Sequence, residues 1–331
     1  MHSYKSYILV VVLLMLLPIT VGVSVTYGTK YIDAGRVYEA FTAFDAANVD
    51  HQIIIHSRLP RVVGALLIGA ALAISGALMQ GITQNPLASP GLMGVSDGSA
   101  LAVTISMIFF PAASMIYQMV FSFIGSAFGA ILVFGLGAYL PNGLSPATLA
   151  ILGAVIGTFL SGIAVVLNMY FQISQDISFW YNARLHQIQP DHLQIAAIFI
   201  VAGVAAALYI AKSVTILSLG KEVAISLGQR IAYVKFMAAL AVILLTGSAV
   251  ALAGKIGFVG LIIPHITRFF VGSHYSRIIP ISALFGGIGL ALSDVASRFL
   301  NYPFETPIGV ITSLIGVPFF LYLARSKGVR C

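Results

Sequence analysis

The sequence predicts an all-α, polytopic membrane protein with about ten transmembrane helices. Three observations predict it. Of 331 residues, 59% are hydrophobic and only 8% are charged, where a soluble domain carries about 25% charged residues. No soluble fold of this length has enough interior to hide that much apolar surface, so the bilayer acts as solvent. The chain length, less its connections, admits about ten runs of the roughly 20 apolar residues that one spanning helix needs. The 32 glycines suit helices packed closely through small residues.

The elements follow in order. Tyr7 to Val25 is apolar, and Lys5 precedes it. The run is long for a signal peptide and reads as a retained first span. Thr26 to Ser57 is the longest polar stretch, the loop at about 26–57, with Lys30, Asp33, Arg36, Glu39, Asp45 and Asp50. Leu59 to Ile82 is a second span, and the turn signal Thr83-Gln84-Asn85-Pro86 closes it. Pro90 to Phe110 and Ser114 to Tyr139 are the third and fourth. Pro141-Asn142-Gly143 breaks the pattern, and Pro146 to Tyr170 is the fifth. Asp176 to His192 is polar and aromatic, a short interfacial helix around Trp180 and Tyr181. Leu193 to Ala211 is the sixth. Lys212 to Arg230 is amphipathic and too polar to span. Ile231 to Gly254 is the seventh, and Gly257 to Gly272 a short eighth interrupted by Pro264. Ile281 to Leu300 and Pro307 to Ala324 complete the set, followed by a basic tail.

An even number of spans puts both ends on one side. With the basic tail inside, the loop at about 26–57 lies outside and the loop at about 212–230 inside. The inner side then holds ten of the 17 Lys and Arg, a weak positive-inside bias. Arg58, Arg61, Lys255 and Arg298 fall on the outer side. The net charge of +7 is therefore read as orientation, and no nucleic-acid partner is expected. The one cysteine, Cys331, excludes a disulfide within the chain and stands in the wrong place for a prenylation box.

No engine is written in the chain. There is no G-x-x-x-x-G-K-[ST] phosphate loop, no H-E-x-x-H, no nucleophile elbow and no Cys/His cluster. The expectation is a transport subunit, not an enzyme, with no catalytic residue, no metal site and no cofactor of its own. Energy then comes from a separate ATPase or from an ion gradient. Asp97, placed in the inner half of the third span, and Asp294, close to Arg298, are the intramembrane acids that an ion-coupled carrier for a small organic solute would use. No chain of carboxylates crosses the membrane, which counts against that alternative. Capping or local pairing is the plainer reading of both.

The inner loop holds Ser218-Leu219-Gly220-Lys221-Glu222-Val223-Ala224-Ile225-Ser226-Leu227-Gly228. Glycines bracket about two helical turns, and Leu219, Val223 and Leu227 make one apolar stripe at i, i+4, i+8. From periodicity alone, docking into a partner's groove and lying on the membrane surface stay equally open.

Longer motifs are more specific. Arg58-Leu59-Pro60-Arg61, the segment Gly69 to Gln80, and Asn85-Pro86-Leu87-Ala88-Ser89-Pro90-Gly91-Leu92-Met93-Gly94-Val95 resemble the FecCD family. These are permeases of ABC importers for ferric siderophores, haem and cobalamin. Gly257 to Arg268 and Pro307 to Thr312 resemble its second and third signatures, so the likeness runs from about Arg58 to the tail. Gln172 to Gln187 and Asn301 to Pro307 are similar to the siderophore permeases of Gram-positive bacteria.

The resemblance implies a type II ABC importer permease, a single transmembrane domain over 1–331 whose halves form an inverted pseudo-repeat, in a bacterial cytoplasmic membrane. It implies a pore shared with a second permease, paralogue or identical copy. Two ATPases that use ATP and Mg bind inside, and an extracellular siderophore-binding lipoprotein binds outside. It makes the inner loop the coupling helix, with Leu219, Gly220, Glu222, Ala224, Leu227 and Gly228 as its contact residues. It makes Arg58, Arg61 and Arg298 receptors for acidic residues of the binding protein, by bidentate guanidinium–carboxylate contacts. Snorkelling to lipid phosphates is the plainer alternative. Ser75, Met79, Gln80, Ser161 and Asn168 are candidate pore-lining residues, with helix-packing glue as their ordinary role.

Overall fold

The computed structural model describes residues 2–28, 30–91, 94–140, 146–172, 185–302 and 304–327. Its long helices are α1 (His2–Thr26), α4 (Leu59–Thr83), α6 (Met115–Tyr139), α7 (Pro146–Tyr170), α8 (Pro190–Ser218), α10 (Ile231–Ala253) and α12 (Tyr275–Phe299). The shorter ones are α2 (Ala34–Thr42), α3 (Val49–Ile53), α5 (Val95–Phe109), α9 (Lys221–Ser226), α11 (Val259–Val271) and α13 (Ile308–Lys327). Among the described residues, seven helices are long and apolar enough to cross a membrane, and three shorter apolar ones, in α5, α11 and α13, join them. That gives the ten expected membrane helices. The interfacial helix expected around Trp180 falls mostly outside the described residues. Leu185–Gln187 is a 3₁₀ turn leading into α8.

α4 is the axis of the bundle. The apolar window of its span is 78% buried, against 22% for α1 and 33% for α7. α12, α10, α8 and α11 all pack on it. Glycines set how closely they approach. A Cβ at Gly69 would lie 2.1 Å from the Gly286 carbonyl oxygen on α12, and one at Gly76 would lie 1.8 Å from the Gly260 oxygen on α11. The backbones therefore touch, and dispersion between close-packed helices replaces the hydrophobic drive that lipid cannot supply. Ser99 on α5, Ser122 on α6 and the Gly247 carbonyl on α10 form a buried hydrogen-bonded chain across three helices.

Three local features differ from the sequence reading. The second span starts ten residues early, because α3 and a π turn at Ile54–Arg58 run straight into α4. The polar loop before it is also partly helical. Asp33 caps α2 by accepting from Gly35 N at 2.9 Å, and Asn48 caps α3 by accepting from Asp50 N at 2.9 Å. The carboxylate of Asp50 pairs with Lys30 and Arg36, which ties α2 to α3. Pro264 does not interrupt the eighth span: α11 runs through it from Val259 to Val271.

Candidate functional site

Polar groups gather at three levels of this bundle. At one end, three arginines gather, and two of them meet the last turn of α1. Arg58 donates to the carbonyl oxygens of Val25 at 2.5 Å, Thr26 at 2.8 Å and Lys30. Arg298 donates to those of Ser24 and Tyr27, each at 2.7 Å. These are the carbonyls that a helix C-terminus leaves without partners, and cations favour that end of the helix dipole. Arg298 also pairs with Asp294 one turn before it, the local pairing expected for that acid. Arg61 reaches Asp294 at 2.9 Å and Glu305 at 2.7 Å.

All three guanidinium groups are more than nine-tenths buried. Each of the three donates to this chain's own acceptors, while the buried Arg298 Nε has no partner among the described residues. Arg58 and Arg61 still share one face, as their i, i+3 spacing predicts. Both line a cavity of about 480 Å³ together with Lys30, His186, Asp294, Arg298 and Glu305. Glu305 lies outside the helices. Its carboxyl is lowered to about 2 by the bond from His186 and then by Arg61, against the cost of burial. Glu305 and His186 were not singled out in the sequence. The signal for Glu305 was its place in the short run Asn301 to Thr306 between two apolar spans, and nothing comparable marked His186.

Half-way along the bundle stands a second cluster. The carboxylate of Asp97, in the first turn of α5, takes a 2.7 Å bond from the Ser161 hydroxyl on α7 and pairs with the Lys255 ammonium. Gly157, one turn before Ser161, leaves the room that Asp97 fills; a Cβ there would lie 2.6 Å from Asp97 Oδ2. Ser161 is about 22 Å up α7 from Pro146 at 1.5 Å per residue, so the cluster sits at mid-depth. This corrects two expectations. Lys255 is not a loop cation at one face, and Asp97 neither lies in one half nor pairs only locally. The connection from α10 to α11 folds back into the bundle and carries Lys255 with it. Its backbone turns at Gly254 (φ +70°) and Phe258 (φ +67°).

At the far end, α9 is a two-turn helix between Gly220 (φ +130°) and Gly228 (φ +74°). Only glycine takes these angles readily. Ala224 is buried against the bundle, while Leu219, Val223, Ile225 and Leu227 are exposed. The expected stripe therefore exists and faces away from the helices of this chain. Close by, Arg268 on α11 bonds Gln80 and Tyr275.

The candidate pore residues separate. Ser75 and Met79 are fully enclosed on α4, and the Ser75 hydroxyl finds no partner. Gln80 is buried and bonds the backbone of α11. Asn168 is buried near the end of α7 with its Oδ1 unpartnered. Ser161 is half-buried beside Lys255.

A closely packed bundle of membrane helices, with polar groups at both ends and an ion pair at mid-depth, defines a polytopic membrane protein. The FecCD transport family matches residues 14–326, and the chain belongs to that family. It is 60% identical over 305 residues to the iron-uptake system permease protein FeuB of Bacillus subtilis, covering 92% of this chain and 91% of that protein. It is 46% identical to the iron(3+)-hydroxamate import system permease protein FhuB of the same organism, covering 98% and 85%. A solved metal-chelate type ABC transporter in an inward-facing conformation superposes with a TM-score of 0.82 at 28% identity, covering 97% and 99%. PsaBC from Streptococcus pneumoniae shares the fold, with a TM-score of 0.61 at 18% identity. The chain is thus an ABC importer permease, a transport subunit of a larger complex whose ATPase is a separate subunit. The ion-coupled carrier reading finds no support among these relatives.

Proposed function

We propose that this permease forms half of the pore of an importer that carries ferric siderophores across a bacterial cytoplasmic membrane. The likeness to FeuB, over nine-tenths of both chains, carries the cargo assignment. The second permease is a paralogue or a second copy. Two ATPases, which use ATP and Mg, sit on the cytoplasmic side, and both termini lie on that side. A siderophore-binding lipoprotein delivers the cargo from outside. The whole chain acts as one permease domain.

The exposed stripe on α9 supports its role as the coupling helix. An apolar face outside the membrane helices is stable only when covered, and a short helix of this kind fits a groove on a partner. Leu219 and Leu227 supply the apolar contact, and Glu222 a charge at the first turn. Gly220 and Gly228 make the turns, and Ala224 holds the helix to its own subunit. Motion of the ATPase then moves α9 as a rigid body, and the bundle switches between two states.

The basic cavity at the opposite end supports docking of the binding protein there. Arg58, Arg61 and Arg298 are spoken for within the chain, so an incoming carboxylate would exchange with Glu305 on Arg61 or enter the cavity they line. Ser75, Met79, Gln80, Ser161 and Asn168 stay assigned to the pathway, and Ser161 has the most open surroundings.

The test is uptake of radio-iron as a ferric siderophore into vesicles holding the complete complex. Uptake that persists without any ATPase rejects the reading. A Glu222→Lys variant with normal transport removes the coupling role. Unchanged capture of the binding protein after charge reversal of Arg58 and Arg61 rejects the docking role.

A further inference from the structure

We propose that Lys255, held by Asp97 and Ser161 at mid-depth in the bundle, is a binding contact for an anionic, oxygen-rich ferric chelate in transit. This rests on the cargo class proposed above.

The exposed part of Lys255 carries the inference. Its side chain is 34% exposed, while its partner Asp97 is 7% exposed. An ammonium at the centre of the hydrocarbon is strongly unfavourable, and intramembrane cations face a protein interior or a water-filled cavity. The open third of Lys255 therefore faces water or another subunit, not lipid. Its donor count agrees. An ammonium has three N–H donors. Asp97 takes one, and Ser161 lies 3.4 Å from Nζ. These two contacts leave at least one of the three donors for a further acceptor.

The site is built, not incidental. Gly157 clears the slot for Asp97, and Ser161 bonds the same carboxylate oxygen that receives Lys255. Asp97 also sits in the first turn of α5, where the helix dipole favours its charge. The segment bearing Lys255 is fixed by two left-handed residues. Phe258 is a non-glycine at φ +67°, an unfavourable angle that persists only where the surroundings impose it. A Cβ on Gly316 of α13 would lie 2.2 Å from the Phe258 ring, so α13 makes room for this turn.

The pairing also suits passage. An isolated lysine would trap an anion, because a lone charge in a low-dielectric site attracts strongly. With Asp97 beside it the cluster is neutral overall. It offers a directed N–H to carboxylate, catecholate or hydroxamate oxygens without a deep electrostatic well. A translocation path needs contacts strong enough to admit the cargo and weak enough to release it.

The test uses the complete complex in vesicles, with Lys255→Cys in a Cys331→Ser background. Radio-iron uptake is measured with a ferric tricatecholate, which is strongly anionic. Uptake falls about tenfold in Lys255→Cys, equivalent to about 1.4 kcal/mol. Treatment with 2-aminoethyl methanethiosulfonate, which restores an ammonium through a mixed disulfide, recovers it. The 2-sulfonatoethyl reagent leaves it low. Saturating ferric tricatecholate slows the modification. Normal uptake by untreated Lys255→Cys overturns the proposal. So does failure of the aminoethyl adduct to rescue, equal rescue by both adducts, or absence of protection. The Cys331→Ser complex with Lys255 intact runs in parallel. If that complex takes up no iron chelate, the cargo assignment fails instead.

Discussion

Gln80 stands opposite the gap that Pro264 leaves in α11: its side-chain nitrogen lies 3.4 Å from the Gly260 carbonyl oxygen and 3.1 Å from that of Leu261. In an α-helix the Gly260 carbonyl would accept the N–H of residue 264, which proline lacks. Gln80 supplies that donor from α4, while its oxygen accepts from Arg268. The carbonyl that the proline frees thus has a partner inside the bundle. Gln80→Leu leaves the carbonyl and Arg268 without these partners, and should cost about 1–3 kcal/mol. Thermal unfolding of the purified complex measures it. Gln80→Glu keeps the acceptor and loses the donor, so its loss should be only partial.

Arg61 and Arg298 share the buried Asp294. Removing one member of a buried pair leaves charge uncompensated, at about 3–5 kcal/mol. Arg61→Ala should fall near the lower figure, because Arg298 still holds Asp294. The double variant Arg61→Ala/Asp294→Ala should lose less than the sum of the single variants. Additive losses would show that the pair is not coupled.

The carboxyl of Glu305 is lowered from its ordinary 4.5 to about 2. Its folded value is the depressed one, so its contribution to stability is present above pH 4.5 and lost as the pH falls through about 2. The stability gap between wild type and Glu305→Gln should hold steady from neutral pH down to the ordinary carboxylate range. Below that it should close. A gap that does not change with pH excludes the ionised anchor.

Gly76 lies against the backbone of α11, where a Cβ would sit 1.8 Å from a carbonyl oxygen. Backbone cannot yield as a side-chain tip can. Gly76→Ala should therefore force α4 and α11 apart and cost about 1–3 kcal/mol or more. Gly22 has nothing within 4 Å of the same atom, so Gly22→Ala is the neutral control. The amount of folded protein in membranes and its thermal stability read both.

The exposed residues of α9 should separate docking from folding. Leu219 and Leu227 are mostly exposed, so Leu219→Lys and Leu227→Lys should leave thermal stability within about 0.5 kcal/mol. ATPase retention on co-purification should drop sharply. Ala224→Lys, at the buried position, should instead destabilise the loop itself.

The spans were legible in the chain because hydrophobic length is a local property. Pro146–Tyr170 has the same bounds in sequence and structure, and the inner stripe followed from residues at most eight apart. The helical start at Val49 was not legible, since its polar residues conceal a π turn that tertiary contacts support. Asp294 to Arg298 could be read because it is one turn long. Arg61 to Asp294 spans 233 positions and Asp97 to Lys255 spans 158, and no periodicity encodes such pairs.

By itself the sequence determined that this is a membrane bundle of about ten helices without a motor, with a charged end and an amphipathic inner loop. Only the tertiary structure decided what the charges do. It turned Arg58 and Arg298 into caps on α1, and it drew Lys255 from an expected outer loop to mid-depth. The physical reason is that a charge in a low-dielectric interior must find its partner in space, and folding, not chain order, brings that partner near.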